Sequence, residues 1–364
     1  MIEIKNEYLE YCQKECDNID KEWIKRKRKI GTCDIFNTLS ISAITNSGVS
    51  TNVNMTSNYS HVGLIKARKK VPVNTFKKIN SKLHSELLDK NNIYAVDGSK
   101  VKMLQGKTKY GYTTRTNNVN VPRPAKKPIC MLSALTGIQT DTIINYTITK
   151  HFNERKAVYD LIKPLKKQDI LLFDRGYYSK ELFSHLSKSK LKCVMRVKKT
   201  ANRTVKKFYS SKKSQLVSHL IHNEEIIKIK YVKKKIGDTL FIMCTNIFDA
   251  SIKKIMNLYK LRWRVELSFK RLKSHLYINK IRALSEKLWL QEFELRILVD
   301  SITRFKQIKS FSKLQKKKTL YTHLLKSMTL FVYLEHFKLK KNVYIYYDRA
   351  RISKTCNKYC DMSN

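Results

Sequence analysis

Short apolar runs alternate with helical patterns in the middle of the chain. Four runs are rich in Ile, Val, Leu and aromatic residues and are bounded by Gly, Asp or Pro, which is typical of buried strands. They cover residues 93–98, 128–135, 142–148 and 169–174. Between the last two runs, apolar positions recur with helical spacing up to about Pro164, and a further helix (179–187) and strand (192–197) follow. The order of these elements predicts an α/β fold class.

The flanking regions carry different patterns. Residues 1–90 show helical stretches broken by polar runs and predict a small helical domain. Residues 198–248 alternate apolar and polar positions around a Gly-Asp turn, which predicts an inserted, largely antiparallel β module. Helical periodicity resumes over 249–308, and the basic segment 309–364 has no pattern that assigns it. We therefore predict a core in two parts, 91–197 and 249–308, that the insertion separates.

Two stripes of side chains share the helical pattern that begins near residue 250. The apolar stripe, which predicts the packed face, consists of Leu258, Leu261, Val265, Phe269, Leu272 and Leu276. About 100° away, a second stripe within an arc of roughly 60° carries Tyr259, Arg262, Glu266 and Lys273. Lys270 extends this second stripe. One face is therefore predicted to pack, and the other is left for chemistry.

Cationic side chains are spread along the whole sequence. The 75 Lys and Arg residues against 29 Asp and Glu give a formal net charge of +46. Nucleic acid is favoured over a membrane surface as the compensating polyanion, because no single amphipathic helix concentrates the cations. A generally lysine-rich proteome is the alternative explanation. The runs 25–29 and 66–70 are candidates for contact with a DNA backbone, with solvated charge or a nuclear-import signal as alternatives. On this basis we expect residues 1–90 to bind DNA.

The cysteines and the search for targeting signals restrict the cellular compartments in which the protein is expected. None of the eight cysteines forms a Cys-x-x-Cys pair, so we expect reduced and mostly buried thiols. Two Cys-x3-Cys pairs, Cys12 with Cys16 and Cys356 with Cys360, leave a four-thiolate zinc site as an alternative. No window has the ~20 apolar residues of a membrane span, and the acidic start lacks the apolar core of a signal peptide. The expected location is the cytoplasm or nucleoid, or the nucleus of a eukaryotic host.

Three carboxylates are candidates for one site. Asp97 and Asp174 each stand where a predicted strand ends, and Glu266 lies on the polar helical stripe. Each has an ordinary explanation by itself: a hairpin turn, a helix cap and a surface glutamate, respectively. Together they are the oxygen ligands that Mg²⁺ or Mn²⁺ prefers, and two such ions activate a water or a 3′-hydroxyl and stabilise the leaving oxygen. We therefore predict a catalytic site for in-line phosphodiester chemistry that binds two metal ions.

Basic side chains accompany these carboxylates in the sequence. Arg175 follows Asp174 directly, and Arg262, Lys270 and Lys273 lie on or beside the stripe that carries Glu266. Such a cluster of like charges is unfavourable by itself, but it suits side chains that hold the phosphate oxygens of DNA near the metals. The cluster therefore predicts a DNA-binding role for these four cations.

Three short motifs, taken in their order along the chain, resemble those of a known family. They are Asp97-Gly-Ser, Asp174-Arg-Gly-Tyr, and Tyr259-x2-Arg262-x3-Glu266-x6-Lys273. Together they resemble the DDE transposases of the IS4 type, and the Tyr-Arg-Glu-Lys signature is the most specific of the three. The resemblance extends from about Leu64 to about Arg304, which is roughly two thirds of the chain.

The resemblance implies a fold, a reaction and a set of partners. The implied fold is a ribonuclease-H-like catalytic core with a β insertion between the second and third acids, at the place of the segment 198–248. The implied reaction is cut-and-paste transposition of an insertion-sequence-like element. Carried over by position, the implied roles are metal binding for Asp97, Asp174 and Glu266 and phosphate contact for Tyr259, Arg262 and Lys273. The implied partners are double-stranded DNA, as transposon ends and target, and a second copy in a synaptic homodimer.

The sequence departs from the family pattern in its aromatic residues. Relatives that excise through a DNA hairpin often stack a tryptophan of the insertion on a flipped base. Here the tryptophans are Trp23, Trp263 and Trp289, none of which lies in the insertion. The insertion offers Phe208, Tyr209, Tyr231, Phe241 and Phe248 instead. The hairpin route is thus not predicted, and for Trp263 we expect a role in helix packing.

Two other functions use the same sequence features. A domesticated or inactive element would keep the basic surfaces and bind DNA without breaking it. A nuclease of the same ribonuclease-H core would use identical acids but would need no paired DNA ends. Terminal inverted repeats that flank the gene would favour a transposase over such a nuclease.

Overall fold

The computed structural model describes residues 7–23, 30–56, 59–87, 92–103, 129–149, 153–283, 285–313 and 325. These residues belong to two compact units, one formed by 1–75 with 305–364 and the other by 76–304. None of the described helices combines the length and apolar character needed to span a membrane.

The described part of the first unit is helical, and its N-terminal stretch ends at residue 75, before the boundary at residue 90 that the sequence predicts. Its helices are α1 (Glu7–Trp23), α2 (Thr32–Thr45), α3 (Val49–Thr56) and α4 (His61–Lys70). The Asp20 carboxylate fixes the start of α2 by accepting a hydrogen bond from the Thr32 backbone amide at 2.7 Å. In the basic run 66–70 on α4, the lysines are exposed but Arg68 is buried. The basic run 25–29 lies outside the described residues, and the DNA-binding role of this region stays a prediction.

One sheet organises the second unit. Its strands are β1 (Ile93–Lys102), β2 (Ile129–Gly137), β3 (Thr142–Thr149), β4 (Ile170–Phe173), β5 (Lys192–Arg196), β6 (Gln215–His222), β7 (Glu225–Ile236) and β8 (Thr239–Thr245). Their order across the sheet is β3-β2-β1-β4-β5-β8-β7-β6. Parallel pairing joins β1 to β4 and β4 to β5, and the other pairs are antiparallel. The mixed α/β class is therefore confirmed.

Helices pack against this sheet and continue the chain. They are α5 (Thr75–Leu87), α6 (Glu154–Leu161), α7 (Lys180–Lys188), α8 (Arg203–Ser210), α9 (Ile252–Leu261), α10 (Arg264–Ser274) and α11 (Glu286–Lys313), the last of which runs on into the first unit. Apolar side chains of α6 and α7 pack with Phe173 of β4 in one core cluster. This packing fixes the strands whose ends carry the candidate acids.

The inserted β module extends the main sheet. Strand β8 pairs with β5 from Val194↔Thr245 to Arg196↔Met243, so that β7 and β6 become the outer strands of the same sheet. The antiparallel character of the insertion agrees with the sequence pattern. The pattern missed α8 and β6, because α8 is only eight residues long and β6 carries polar residues and two histidines among its apolar positions.

The helical pattern from residue 250 forms two helices rather than one. Between α9 and α10 the backbone bonds shift from i+4 to i+3, with the Arg262 amide donating to the Tyr259 carbonyl at 3.1 Å and the Val265 amide to the Arg262 carbonyl at 3.1 Å. Most of the predicted apolar stripe is buried, but Leu261, at this junction, is only partly covered. The junction thus separates Tyr259 from Glu266.

The described cysteines are free thiols. Cys12 and Cys16 are buried in α1, and Cys130, Cys193 and Cys244 are buried in strands, whereas Cys33 is partly exposed. Burial raises the pKa of Cys193 to about 12, which keeps this thiol protonated at neutral pH. The residues Cys356 and Cys360, proposed for a zinc site, lie outside the described residues.

Candidate active site

The register of the sheet places Asp97 and Asp174 side by side. The last residue pair of the parallel β1–β4 ladder is Val96↔Phe173, and each aspartate follows directly after it. Asp97 is still part of β1, where it pairs with Ala134 of β2, so the Asp-Gly dipeptide is not a hairpin turn. Because neighbouring strands are about 4.8 Å apart, two side chains at the same level share one end of the ladder.

Polar contacts on its far side fix helix α10, which carries Glu266. The guanidinium of Arg264 donates to the Ile138 carbonyl oxygen at 2.5 Å. Arg271 pairs with Asp141 at 2.7 Å and with Asp300 at 3.0 Å. These contacts tie the helix to the β2–β3 turn and to α11, while Val265, Phe269 and Leu272 are buried beneath it. Glu266 therefore lies on a rigid support that packs on β1 and β2.

Arg262 joins two of the three acids. Its guanidinium donates from Nη1 to Asp97 Oδ2 at 3.2 Å and from Nη2 to Glu266 Oε1 at 2.7 Å. The Arg262 side chain is 12% exposed, whereas those of Asp97 and Glu266 are 21% and 34% exposed. Asp97 and Arg262, which are 165 positions apart in the chain, are thus brought into direct contact.

Tyr259 connects the remaining acid to the same cluster. Its hydroxyl donates to Asp174 Oδ1 at 3.0 Å, and its ring lies 5.8 Å from the guanidinium of Arg262. Burial, with a further contribution from the Asp174 carboxylate, raises the pKa of Tyr259 to about 12. The phenol is therefore protonated at neutral pH and acts as a hydrogen-bond donor.

The predicted lysine and arginine contacts fall into two groups. Lys273 reaches back to β1, where its Nζ donates to Ser99 Oγ at 2.6 Å, and partial burial lowers the pKa of this lysine. Arg175 and Lys270 are exposed and form no ion pair with any residue that the structure describes. Three of the five predicted DNA contacts therefore join the acidic cluster or β1, and two point to solvent.

Charge and burial shape the protonation of Asp97. Burial raises the pKa of Asp97 to about 6, and the negative charges of Glu154 and Glu266 act in the same direction. The Gly98 amide, which donates to Asp97 Oδ1 at 2.8 Å, and the Arg262 guanidinium oppose this shift. Asp97 is therefore more easily protonated than an aspartate in water.

The donor chemistry of the cluster suits a divalent cation. Three carboxylates supply the hard oxygen ligands that Mg²⁺ and Mn²⁺ prefer. Among the described side chains, no three His, Cys, Asp or Glu residues stand close enough to form a metal centre as arranged here. In this arrangement the Arg262 guanidinium lies between Asp97 and Glu266 and pairs with both. Asp97, Asp174 and Glu266 would hold the metal once that contact is released.

Two residues near the acids had no part in the sequence prediction. Glu154, the first residue of α6, lies against Gly98, where a Cβ atom would be 2.6 Å from Glu154 Oε1. Tyr177, at 1% exposure, has a pKa raised by burial and by the charges of Glu154, Asp97 and Asp174. A glycine inside a strand is the sequence signal for such a close approach, but it does not name the partner.

The aromatic residues of the region depart from expectation. Trp263 is 58% exposed, and its neighbour one turn on, Leu267, is 41% exposed, so the predicted packing role for Trp263 is wrong. In the insertion, Phe208 and Tyr231 are buried in the core, whereas Phe248 is 38% exposed. Trp263 is exposed because it lies at the junction of α9 and α10, where no other helix covers it among the described residues.

Comparisons with known proteins identify the family. Residues 89–299 match the family described as transposase DDE domain. No curated protein sequence matches the chain. Among solved structures, it is similar to a piggyBac transposase in a cryo-EM synaptic complex with hairpin DNA, at 13% sequence identity and a TM-score of 0.54, over 95% of this chain and 86% of that chain. This likeness shows the ribonuclease-H-like DDE fold. Since the family match spans more than half of the sequence, the protein belongs to the DDE transposases.

Proposed function

We propose that the protein is an IS4-type transposase that catalyses cut-and-paste transposition of an insertion-sequence-like element. The observation that carries this proposal is the bridge from Asp97 through Arg262 to Glu266. All four residues of the Tyr-Arg-Glu-Lys signature take part in contacts around the acids: Tyr259 with Asp174, Arg262 with Asp97 and Glu266, and Lys273 with Ser99. A signature that occurred by chance on a surface helix would have no reason to converge in this way.

Arg262 gives the site a means of responding to DNA. Its guanidinium makes single hydrogen bonds to two partly exposed carboxylates, which a phosphate group can replace with a bidentate contact. When Arg262 turns to a DNA phosphate, Asp97 and Glu266 lose their counter-ion and become free to bind a metal. DNA binding and metal binding are therefore expected to favour each other.

The other signature residues orient the phosphodiester. Tyr259 is protonated at neutral pH and donates its one hydroxyl hydrogen to Asp174, and it can donate this hydrogen to a phosphate oxygen instead when Asp174 binds a metal. Lys273, next to Ser99 on β1, supplies a positive charge on the other side of the acids. Exposed Arg175 and Lys270 extend the cationic surface toward the incoming duplex. When bound, Mg²⁺ or Mn²⁺, expected as two ions, supplies the activation of the attacking oxygen and the stabilisation of the leaving oxygen.

Exposed Trp263 adds an aromatic surface beside Arg262. A ring that is 58% exposed next to a phosphate-binding arginine suits stacking on a nucleobase, which contributes about 1–3 kcal/mol per base. Stacking from the insertion is less suited, because the rings of Phe208 and Tyr231 are buried. Excision through a hairpin is therefore distinguished by the DNA ends that the cleavage reaction produces.

The experiment is cleavage of DNA from the borders of the gene. Purified protein, end-labelled border DNA and Mg²⁺ or Mn²⁺ should give breaks at the element ends that are absent with EDTA. A target plasmid in the same reaction should then acquire the cleaved ends. Sequencing gels that resolve free 3′-hydroxyl ends from hairpin ends report the route of excision.

The outcomes separate the three candidate functions. Cleavage followed by joining supports the transposase. Cleavage without end specificity or joining contradicts it and favours a ribonuclease-H-fold nuclease, and specific binding without breakage under both metals favours an inactive DNA-binding protein. Crosslinking of the DNA complex should give a dimer if two ends are paired. Tagged protein should be found with the nucleoid, or in the nucleus of a eukaryotic host.

A further inference from the structure

A fourth carboxylate approaches the candidate acids from a different element. Glu154 begins helix α6, whose N-cap Asn153 accepts a hydrogen bond from the Lys156 amide at 3.3 Å through its side chain. This cap fixes the first turn of the helix and therefore the origin of the Glu154 side chain. The side chain is half-buried and forms no ion pair with any described residue.

Gly98 provides the space that this carboxylate occupies. A Cβ atom on Gly98 would lie 2.6 Å from Oε1, 2.7 Å from Cδ and 3.0 Å from Cγ of Glu154. The backbone of Gly98 has no positive φ and pairs with Ser133 in the β1–β2 ladder, so its conformation does not require glycine. Glycine in a strand interior is less favourable than alanine, because it loses more backbone freedom on folding. The glycine after Asp97 is thus explained by the approach of Glu154.

Among the described residues no cation pairs with Glu154, whereas Asp97 and Glu266 both pair with Arg262. Asp174 accepts a hydrogen bond from Tyr259. The Glu154 carboxylate acts on the protonation of Asp97 in the same sense as Glu266, which shows that the two acids are electrostatic neighbours. A carboxylate without a cation, adjacent to a partly buried aspartate, attracts a divalent ion to that position.

A buried hydroxyl faces the same group of acids. The Tyr177 hydroxyl is shielded from solvent and has no hydrogen bond of good geometry with any described residue. It is nevertheless close enough to Glu154, Asp97 and Asp174 for their charges to act on it. A buried donor without a hydrogen-bond partner is unfavourable. Such a hydroxyl suits an oxygen that arrives with a ligand or a carboxylate that shifts upon binding one.

We propose that Glu154 is a fourth metal-binding residue of this site. Its carboxylate lies beside Asp97, in the space that the missing side chain of Gly98 leaves open, and Tyr177 positions this carboxylate. The proposal rests on the proposed function in so far as the metal serves phosphodiester chemistry. It adds to the three acids of the family motif a ligand that the motif does not contain. Its role is to increase the affinity for the divalent ion next to Asp97, also in the DNA-free protein, because no described contact joins Arg262 to Glu154.

Direct metal binding tests this role without reference to catalysis. Mn²⁺ binding to the DNA-free protein is measured by electron paramagnetic resonance and by calorimetry for the wild type and for Glu154→Gln. The expected result is an affinity about 10-fold or more lower, or the loss of one of two bound ions. The matched control is Asp160→Asn, which makes the same change from carboxylate to amide on the same helix, at a residue paired with Lys163 at 2.5 Å. Asp160→Asn is expected to bind Mn²⁺ as the wild type does.

A steric variant separates placement from charge. Gly98→Ala keeps every carboxylate but puts a methyl group where Glu154 lies, so it should lower the Mn²⁺ affinity nearly as much as Glu154→Gln. Combining it with Glu154→Ala relieves the steric conflict, so the double variant should recover thermal stability relative to Gly98→Ala but not recover Mn²⁺ affinity. A merely structural role for Glu154 predicts the opposite, with Mn²⁺ affinity restored together with stability.

The results distinguish this proposal from the proposed function. If Asp97→Asn loses Mn²⁺ binding while Glu154→Gln retains wild-type affinity, the role of Glu154 is refuted and the transposase proposal is untouched. If Glu154→Gln and Asp97→Asn both lose Mn²⁺ but the wild type cuts no border DNA, the metal site is supported and the transposase proposal fails. If Gly98→Ala and Glu154→Gln both bind Mn²⁺ normally, the fourth ligand does not exist.

Discussion

Two arginines at the two ends of one helical segment each join a pair of acids, but in opposite ways. Arg262 donates one hydrogen bond to Asp97 and one to Glu266, whose side chains are 21% and 34% exposed. Arg271 pairs with Asp141 and Asp300, whose side chains are 11% and 2% exposed. Both guanidinium groups are equally buried, at 12% exposure. The burial of the arginine therefore does not distinguish the two bridges.

The difference lies in how fully each guanidinium is used. Arg271 donates to both oxygens of Asp300, at 3.0 Å and 3.1 Å, and also to Asp141 and Ser268. Arg304 adds a second cation to Asp141 at 3.3 Å. Arg262 has spare donors, and its acids have spare acceptors facing solvent. A bridge in which every donor and acceptor is used stabilises a fold, whereas a bridge with unused donors and acceptors can exchange a partner for a ligand. The following substitutions test this difference.

The largest expected effect comes from the acids that Arg262 and Tyr259 hold. Asp97→Asn, Asp174→Asn and Glu266→Gln should each lower single-turnover cleavage of border DNA by about 10³-fold or more, because metal binding contributes several kcal/mol to the transition state. The thermal unfolding midpoints of Asp174→Asn and Glu266→Gln should stay near that of the wild type, whereas that of Asp97→Asn should be higher at neutral pH, because a partly buried charge is removed. Asp141→Asn should do the reverse, losing stability first. Equal losses of stability in both groups would remove the contrast between the bridges.

Replacing the arginines themselves tests how much each of the two bridges contributes to the stability of the fold. Arg271→Leu leaves Asp141 and Asp300 buried with less compensation, so its free energy of unfolding should fall by about 3–5 kcal/mol. Arg262→Leu should lower the free energy of unfolding by about 1 kcal/mol or less, because water can hydrate the carboxylates of Asp97 and Glu266 once the arginine is gone. Denaturant unfolding of both variants in EDTA measures the difference. A larger loss for Arg262→Leu than for Arg271→Leu would contradict the comparison.

The protonation of Asp97 gives a pH-dependent test. Its pKa is about 6 in the folded protein against 3.8 as the ordinary value, so the folded state binds this proton more tightly than the unfolded state. Below pH 3.8 the group contributes no penalty, and the free energy of unfolding falls as the pH rises from 3.8 to about 6. The full penalty above that window is about 3 kcal/mol. In EDTA, the stability of the wild type relative to Asp97→Asn should therefore decline through this window; a constant difference would be inconsistent with the environment described for Asp97.

The smallest expected effect distinguishes the shape of Arg262 from its charge. Arg262→Lys keeps the positive charge but cannot join Asp97, Glu266 and a phosphate through a planar fork. We expect cleavage to fall about 10- to 100-fold, with little change in the free energy of unfolding. Lys270→Arg, at an exposed neighbour without an ion pair among the described residues, is the control and should have little effect. Full activity of Arg262→Lys would indicate that charge alone is required.

Much of the sheet was predictable because its strands are buried on both faces. Four apolar runs became β1, β2, β3 and β4 with ends shifted by a few residues. The alternation in residues 225–236 and 239–245 likewise predicted β7 and β8. Helix α8 and strand β6 were missed because each has only eight residues, which offer too few positions to establish a period.

The candidate site was predictable in its composition but not in its contacts. The spacing of Tyr259, Arg262, Glu266 and Lys273 indicated a shared face, yet it did not reveal that Arg262 bends back to Asp97 across the α9–α10 junction. Glu154 was not predicted, because its approach depends on a gap at Gly98 that only the packed helix α6 fills. The packing role predicted for Trp263 was wrong because the prediction assumed one uninterrupted helix, whereas α9 ends before this residue and α10 begins after it.

The three residue pairs between β5 and β8 have a consequence for how the protein tolerates change. They connect the insertion to the catalytic core through main-chain hydrogen bonds, so its placement depends on strand register and not on the connecting segments. The segment at 198–202, which leads from β5 into α8, can accordingly lengthen or shorten without relocating β7 or β6. The strand register thus fixes the distance between the outer strands and the paired aspartates, whatever the length of the connecting loop.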